Sequence, residues 1–476
     1  MLRLACLLVL AFFATGCERG GPPRNVLLIS VDSLRADRLG AYGHDRKTSP
    51  NLDRLAAEGV LFERAISPTS WTLPSHVTLL SGRDLAGHGT VAKTDRIDDA
   101  VPLLQETFSR AGYETAGFYS GPFLHPYFGF GRGFDRYDSC ETIEVDDARP
   151  IDAMTSSHED RTNETVRKTF TEWLDKRPPD RPFFAFVHMW DVHFDYIAPA
   201  PWGTAFTKPY DGALDGRRIA DQGFPNQLSR ADLDHLLALY DGEVLYTDDT
   251  IGKLLRALDR KGVLDDTLVV VTADHGEEFR EHGGKTHHRT VFVESVHVPL
   301  LLWARDGLPR GLRIEPFVAL ADVAPTILDL VGLPALTGAD GRSLVPAIRG
   351  EKLASRPVRS AMFSPGEENR RTIALREGRR SLVLWKKRDH WLRFDVGHDP
   401  AESFPVQPSA AERAELERYD AEILALLEKR AKAAAAARDA APPGPAEGAG
   451  GAAGSGTAGA LPSDVEKRLR QLGYIE

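Results

Sequence analysis

The feature that most constrains the fold of this 476-residue chain is a set of long apolar runs. The runs begin at Asn25, Pro182, Asp266 and His297, and they read NVLLISVD, PFFAFVHMWD, DTLVVVTADHG and HVPLLLW. Continuous apolar runs are typical of parallel strands, because such strands are covered on both faces. The runs therefore predict strands at the centre of a buried sheet.

The stretches between these runs have helical periodicity. In ETVRKTFTEWLDK the apolar positions recur every three or four residues, and Thr162 and Asn163 precede them as candidate N-terminal caps. In DDTIGKLLRALDRKG the apolar positions share one face, and Gly262 marks the end of the pattern. Strands that alternate with helices predict the α/β class.

The C-terminal quarter of the chain has a different pattern. Residues 356–437 contain the stretch RTIALREGRRSLVLWKKRDHWLRFDV, where short turns separate alternating apolar and charged residues, and continue with a helical stretch. This pattern predicts a small antiparallel α+β subdomain. Residues 438–462 are rich in Ala, Gly and Pro, which predicts a disordered linker, and residues 463–476 form a terminal segment.

The N-terminus has the pattern of a targeting segment. Arg3 precedes an apolar run that is too short to span a bilayer, and the small residues ATG then precede Cys17. This pattern resembles a bacterial lipobox, so residues 1–17 are predicted to be a lipoprotein signal peptide and residues 18–24 a tether. A plain secretory signal is the alternative. Either reading predicts an exported protein, and the first adds a lipid anchor in the membrane and a place in the cell envelope.

Charge and cysteine content limit the chemistry. The net charge of −10 gives no basic surplus, so nucleic acid is not an expected partner. Beyond Cys17 the chain has a single cysteine, Cys140, which excludes an internal disulfide in the mature chain and a cysteine zinc site. An acidic protein that handles anionic esters needs local positive charge, and metal ions are one source.

Three of the predicted strands end in residues that bind metals. The first run ends at Asp32, the second offers Asp191 and His193, and the third offers Asp274, His275, His282 and His287. Functional groups of parallel α/β sheets collect at the carboxyl ends of the strands. Oxygen and nitrogen ligands without thiolates fit zinc, manganese or calcium.

The stretch SPTSWTLPSHVTLLSG, residues 67–82, packs several hydroxyl groups around a helical apolar pattern. Each hydroxyl is a candidate nucleophile or a candidate cap for the start of a helix. A helix N-terminus in this position also favours a bound anion. The residue types alone do not distinguish among the hydroxyl groups.

Several of these segments together resemble the sulfatase family, within the alkaline phosphatase superfamily. The segments are NVLLISVDSLRADRLGAYG, TLPSHVTLLSG, VVVTADHGEEFREHGG and VALADVAPTILDLVGLP, and FDVGHDPAES and LGYIE resemble the C-terminal features of the family. The resemblance implies a catalytic domain over residues 25–350, with an alkaline-phosphatase-like mixed sheet sandwiched by helices. It also implies a bound divalent metal and hydrolysis at a sulfate or phosphate centre.

The resemblance assigns roles to individual positions. Asp32, Asp274 and His275 match the family's metal ligands. Thr72 stands where sulfatases carry the Cys or Ser that becomes formylglycine. Threonine cannot give that aldehyde, so Thr72 instead resembles the threonine nucleophile of the superfamily's phosphodiesterases and phosphoglycerol transferases. Coordination to a dication would activate such a hydroxyl, which adds Thr72 to the metal ligands.

Other positions also match or depart from the family pattern. His76 stands where the sulfatase motif carries Arg, and Ser33 stands where a further ligand Asp is common. His193 matches a histidine that contacts the bound anion, and His287 lies near the position of the substrate-binding Lys. Both histidines are therefore predicted to be catalytic.

A second metal ion is an open alternative. Asp191, His193 and His287 have the carboxylate and two imidazoles of the second zinc site in the superfamily's diesterases. Two ions about 4 Å apart would hold the attacking and the leaving oxygen. The protein is thus expected to bind one or two divalent ions.

The sequence leaves three functions to be compared. The leading hypothesis is a metal-dependent hydrolase or transferase of small or envelope-borne anionic esters, with phosphorus as the reacting centre and Thr72 as the nucleophile. The alternatives are a sulfuric ester hydrolase without formylglycine and a lipid-anchored binding protein without turnover. The sequence does not indicate the oligomeric state.

Overall fold

The computed structural model of the protein describes residues 23–141, 161–217, 219, 228–363, 371–440 and 461–471. The strands are β1 Asn25–Val31, β2 Val60–Phe62, β3 Ala65–Ile66, β4 Glu114–Tyr119, β5 Arg136–Ser139, β6 Phe183–Met189, β7 Thr267–Ala273, β8 Glu278–Phe279, β9 Lys285–Thr286, β10 His297–Val298, β11 Leu300–Trp303, β12 Leu312–Ile314, β13 Val318–Ala319, β14 Val358–Met362, β15 Thr372–Glu377, β16 Arg380–Trp385 and β17 His390–Asp395. The helices are α1 Pro50–Glu58, α2 Thr72–Ser81, α3 Leu85–His88, α4 Leu104–Arg110, α5 Asn163–Lys176, α6 Arg230–Arg260, α7 Val293–Val296, α8 Val323–Leu330, α9 Val345–Ile348, α10 Ala410–Ala440 and α11 Ser463–Gln471.

The largest sheet is mixed, and the described residues place eight strands in it in the order β12-β2-β11-β7-β1-β6-β4-β5. The strands from β7 to β5 are parallel to their neighbours, whereas β11 runs antiparallel to both β7 and β2. Every residue of β1, β6 and β7 is buried, which explains their continuous apolar sequences. The predicted central strands are confirmed.

Helices flank this sheet. Helices α1 and α5 both contact α6, and helices α4 and α8 both contact α2. The predicted α/β class, with a mixed sheet between helices, is confirmed. Gly262 follows α6 with a φ of 67°, a left-handed conformation that favours glycine and ends the helix as predicted.

The run HVPLLLW differs from its prediction as one strand. Its residues divide between β10, in a small three-stranded sheet, and β11, in the large sheet. Pro299 lies between the two and lacks the N–H that a continuous ladder would use. The interruption lets the chain pass from one sheet to the other.

The C-terminal antiparallel sheet is confirmed, with strands in the order β14-β15-β16-β17. Helix α10 packs Leu416, Tyr419 and Ile423 against this sheet, at the three- and four-residue spacing of one helical face. The apolar partners on the sheet include Ile373 and Leu382. The predicted domain boundaries themselves stay predictions.

Two sequence predictions meet the edge of the described residues. Residues 438–440, predicted as linker, are helical because α10 continues to Ala440, while 441–460 lie outside the described residues. The signal peptide, residues 1–17, lies outside them too, as do residues 18–22 of the tether. Among the residues that are described, no helix combines the length and apolar content needed to cross a bilayer.

Candidate active site

The candidate site lies at the carboxyl edge of the central strands. Val31 at the end of β1 is paired with Met189 of β6 and with Ala273 of β7, so the residues that follow all three strands meet at one edge. Asp32 and Asp274 are therefore neighbours. Ser33, which follows Asp32, is 241 positions from Asp274 in the chain. Both carboxylates are fully buried.

Asp32, Asp274 and His275 form a cluster with the geometry of a metal site. Each offers one ligand atom, and these atoms lie within 4.8 Å of one another. Oδ2 of Asp274 is buried and has no hydrogen-bond partner among the described residues. An unpaired carboxylate oxygen is costly in the protein interior, and a divalent cation would remove that cost. The donor set thus fits a divalent ion.

The two carboxylates influence each other's ionisation. Burial and the neighbouring charge of Asp32 raise the pKa of Asp274 well above its usual value. Burial also acts to raise the pKa of Asp32, but the neighbouring imidazoles of His188, His193 and His275 hold that pKa well below its usual value. Two buried acids with opposite pKa shifts are typical of a site that shares charge with a ligand.

Thr72 lies beside this cluster, at the first position of α2. Its Oγ1 is 3.3 Å from Oδ2 of Asp32 and 3.4 Å from Nε2 of His275. Residue Trp71 at the N-cap makes no side-chain hydrogen bond to the helix, so unpaired N–H groups of the first turn favour negative charge here. The structure therefore brings Thr72 together with the three predicted ligands.

Hydrogen bonds fix the orientation of the His275 ring. Nδ1 of His275 is 2.9 Å from the carbonyl oxygen of Gly276, which can only accept, so Nδ1 carries the proton. In the neutral ring, Nε2 then has a free lone pair and faces Thr72 and the two aspartates. His275 is prepared as a ligand before any ion binds.

His193 and His287 are held in the same manner. Nδ1 of His193 is 2.7 Å from the carbonyl oxygen of Phe194, and Nδ1 of His287 is 3.1 Å from a carboxylate oxygen of Glu277. The ring centroids of His275 and His287 are 4.4 Å apart, and those of His193 and His287 are 4.9 Å apart. The Nδ1 edge of each ring is engaged, and the three imidazoles lie side by side next to the carboxylates.

Ser33, which the family resemblance matches to a further ligand Asp, forms hydrogen bonds to both carboxylates. Its Oγ donates to Oδ1 of Asp32 at 2.8 Å, and its backbone N–H donates to Oδ1 of Asp274 at 3.2 Å. A φ of 56° places Ser33 in the left-handed region and turns its N–H toward Asp274. Ser33 thus orients both carboxylates, and it adds no negative charge to the site, as an aspartate would.

The structure gives Asp191 a different role from the predicted one. Oδ1 accepts hydrogen bonds from the backbone N–H and the hydroxyl of Thr162, and Oδ2 accepts from the N–H of Asn163. Asp191 therefore caps the start of α5, a function for which the sequence offered Thr162 and Asn163 as candidates. Both oxygens have partners there, so this geometry does not support Asp191 as a metal ligand.

Two buried residues outside the predicted ligand set also contact the site. Glu277 supports His287, as described above, and His188 in β6 lies with Nε2 3.6 Å from Oδ2 of Asp32. His188 sits inside an apolar strand and resembles an ordinary core residue. Only the register between β1 and β6 brings it next to the carboxylate.

Comparisons with known proteins identify the family of this chain. The family model described as Sulfatase matches residues 24–333, and the model described as N-sulphoglucosamine sulphohydrolase, C-terminal, matches residues 281–428. The chain is 25% identical over 437 residues to an arylsulfatase of Clostridium perfringens, covering 79% of this chain and 89% of that protein. It is 26% identical over 397 residues to the multifunctional alkaline phosphatase superfamily protein PehA of Trinickia caryophylli, covering 68% of this chain and 76% of that protein.

The fold has a close match among solved structures. The phosphonate monoester hydrolase of Agrobacterium radiobacter superimposes with a TM-score of 0.67 at 25% sequence identity, over 86% of this chain and 96% of that chain. The matched sulfatase model covers well over half of the chain, including Asp32, Thr72, Asp274 and His275. The protein therefore belongs to the sulfatase family, as an ester-bond hydrolase of the alkaline phosphatase superfamily.

Proposed function

We propose that this hydrolase cleaves or transfers phosphate esters, diesters or phosphonates through an unmodified Thr72. The observation that carries the proposal is the position of Oγ1 of Thr72, 3.3 Å from Asp32 and 3.4 Å from His275 at the start of α2. A hydroxyl in that position can attack a substrate anion that lies against the same ligand cluster. An oxidised cysteine or serine is not required.

The residues of the chain supply binding, orientation and the nucleophile. Asp32, Asp274 and His275 would hold a divalent ion, and carboxylate and imidazole donors fit zinc or manganese, with calcium as a harder alternative. When bound, such an ion lowers the pKa of a neighbouring hydroxyl and offsets the charge of an in-line transition state. Oγ1 of Thr72 forms the new bond to phosphorus as the bond to the leaving oxygen breaks.

The histidines His193 and His287 are proposed to contact the oxygens of the transferred group. Hydrogen bonds from Nδ1 orient both rings, and the rings are adjacent. The same pair could serve a second divalent ion, without Asp191. The number of ions is thus one or two, and the two cases differ in the measured metal stoichiometry.

Phosphorus is favoured over sulfur because of the residue at position 72. Formylglycine forms from Cys or Ser, and this chain has Thr there. The match to a phosphonate monoester hydrolase supports the same preference. Sulfate ester hydrolysis by the unmodified threonine is the second candidate, supported by the match to an arylsulfatase. A binding protein without turnover is the third.

One assay separates these candidates. The soluble form that starts after Cys17 is purified with zinc, manganese or calcium and tested on aryl sulfate, phosphate monoester, phosphodiester and phosphonate substrates. We expect turnover of at least one phosphorus substrate, reduced at least about 1,000-fold in Thr72→Ala because the nucleophile is removed. Ser81→Ala is the matched control, since Ser81 ends the same helix and its hydroxyl donates a hydrogen bond to the carbonyl oxygen of Val77.

Each outcome of that assay has a clear meaning. Equal rates of Thr72→Ala and wild type on every substrate would rule out the threonine mechanism. Turnover of the aryl sulfate alone would reverse the preference for phosphorus. No turnover of any substrate by protein that binds its metal would favour the binding protein.

We also propose that the chain is exported and anchored by a lipid on Cys17. The support is the sequence pattern of residues 1–17, which lie outside the described residues. The full chain should fractionate with membranes, and Cys17→Ser should release it or leave the signal uncleaved. A labelled fatty acid should be incorporated into wild type and not into Cys17→Ser, and equal labelling of both proteins would contradict the lipid anchor.

A further inference from the structure

A polar row crosses the central strands directly beneath the candidate metal ligands. Ser30 of β1 is paired in register with His188 of β6 on one side and with Thr272 of β7 on the other. All three side chains are fully buried. Because side chains two residues apart share a face of the sheet, Ser30 lies under Asp32 and Thr272 lies under Asp274.

His188 is the unusual member of this row. Neither of its ring nitrogens has a hydrogen-bond partner among the described residues. A buried polar group without a partner destabilises the fold, so an imidazole in an apolar strand needs a compensating interaction. Its Nε2 lies 3.6 Å from Oδ2 of Asp32, just beyond the distance of a hydrogen bond.

The ring of His76 packs against the ring of His188. Nδ1 of His76 is 2.9 Å from the carbonyl oxygen of Thr72, and Nε2 is 2.9 Å from Oγ of Ser30, so both ring nitrogens are engaged. The His76 ring stands nearly perpendicular to the His188 ring, with centroids 4.7 Å apart. His76 thus presents its ring, not a hydrogen-bonding nitrogen, to His188 and leaves Asp32 as a polar neighbour.

We propose that His188 is a positioning residue for Asp32. Its Nε2 lies 3.6 Å from Oδ2 of Asp32 and attracts that oxygen electrostatically, while Ser33 donates to Oδ1, so the carboxylate is held from both sides. Oδ2 is also the oxygen that accepts from the Thr72 hydroxyl. His188 therefore sets the orientation of Asp32 toward the ion and toward the nucleophile.

This inference rests on the metal site proposed above and extends it to a residue outside the ligand set. Hydrogen-bonding groups that orient a ligand commonly change metal affinity about 10- to 100-fold when they are removed. An effect on affinity is measurable without substrate. It also differs from that of a residue that only fills the core, since such a residue would change stability and leave the metal affinity intact.

The test compares two amide variants of the full soluble chain. His188→Gln can place an amide N–H near the position of Nε2, whereas the shorter His188→Asn cannot reach Asp32. The metal-free proteins are titrated with zinc and with manganese in competition with a chromogenic chelator. We expect His188→Asn to bind about 10- to 100-fold more weakly than wild type, and His188→Gln to recover most of the loss.

Kinetics give a second readout. With saturating metal, His188→Asn should lower kcat more than it raises KM, because Asp32 contacts the nucleophile and not the substrate binding surface. His88→Gln is the control, since His88 is a buried histidine that contacts Thr78 on α2. Its metal affinity should equal that of wild type.

The outcomes separate this inference from the function on which it rests. If Asp32→Ala abolishes metal binding while His188→Asn and His188→Gln bind equally well, the positioning role is wrong and the metal site stands. If Asp32→Ala binds metal as tightly as wild type, the metal site itself is wrong and the inference falls with it. Circular dichroism and the Tm of the metal-free proteins establish that each variant is folded.

Discussion

Two clusters of buried ionisable residues share the segment after β7, and they differ in how their polar atoms are used. In the first cluster, Nδ1 of His275 and Nδ1 of His287 each form a hydrogen bond. Oδ2 of Asp274 has no hydrogen-bond partner among the residues that the structure describes. In the second, both nitrogens of His282 have partners within the protein. The first cluster therefore contains a carboxylate oxygen that could bind a ligand. In the second cluster, both nitrogens of the His282 imidazole are already used in hydrogen bonds.

The second cluster joins the active-site segment to the C-terminal sheet. His282 is 2.8 Å from a carboxylate oxygen of Glu294 and 2.9 Å from the carbonyl oxygen of Glu402. The Glu402 carboxylate forms a fully buried ion pair with Arg376 of β15 at 2.8 Å. The comparison teaches that residue type does not identify a site: ligand atoms of Asp32, Asp274 and His275 converge within 4.8 Å of one another, whereas both nitrogens of His282 are hydrogen-bonded within the protein.

The largest effect is expected in the first cluster, where Asp274→Asn removes a charge that the ion needs. We expect metal affinity and kcat/KM to fall by about 100-fold or more, and a chelator should inactivate wild type in the same way. Metal analysis and activity assays check this. The metal-free Tm should change little or rise, since the unpaired carboxylate is costly there. Unchanged metal content in Asp274→Asn would contradict the assignment.

A smaller effect is expected in the second cluster, where His282 donates to two acceptors and is charged. Pairing with Glu294 and Glu402 outweighs burial and raises the pKa of His282 from 6.5 to about 9. The folded-state pKa is the higher one, so this stabilisation is complete below about pH 6.5 and is lost as the pH rises through about 9. Allowing for partial solvent screening, the loss is about 1–2 kcal/mol.

His282→Gln provides the comparison for that effect. The free energy of unfolding, measured by urea denaturation from pH 6 to pH 9.5, should fall with pH less steeply in the variant than in wild type. Metal affinity should be the same in both proteins, because His282 is outside the ligand cluster. Parallel pH profiles would show that the second cluster does not hold a charged His282.

The smallest effect is expected at Asp191, whose carboxylate is engaged at the start of α5 like the groups of the second cluster. Asp191→Ala removes the cap and should cost about 1 kcal/mol of unfolding free energy. The number of metal equivalents per chain should not change. A loss of one equivalent in Asp191→Ala would restore Asp191 as a ligand and contradict the distinction between the clusters.

The sequence predicted the strand ends of the site well, for a physical reason. Continuous apolar runs reveal buried parallel strands, and the polar residues that follow them meet at one edge whatever the order of the strands. Asp32, Asp274 and His275 therefore converge as predicted. Thr72 required the resemblance to the family, because several hydroxyl groups of its segment have equivalent surroundings in the sequence.

The remaining parts of the site depend on register and side-chain direction, which the sequence does not encode locally. Asp191 follows a strand as Asp32 does, yet its side chain turns to the N–H groups of Thr162 and Asn163. His188 looks like a core residue until its pairing with Ser30 places it beside Asp32. Both outcomes are set by contacts between distant segments.

The stereochemistry at phosphorus tests the central claim, attack by Thr72, most directly. A chiral phosphorothioate diester is cleaved in isotopically labelled water by the metal-loaded enzyme, and the configuration of the product is determined. Attack by Thr72 followed by attack of water gives two inversions, so the account predicts net retention. Net inversion would mean that water attacks the substrate directly, and it would contradict the threonine nucleophile.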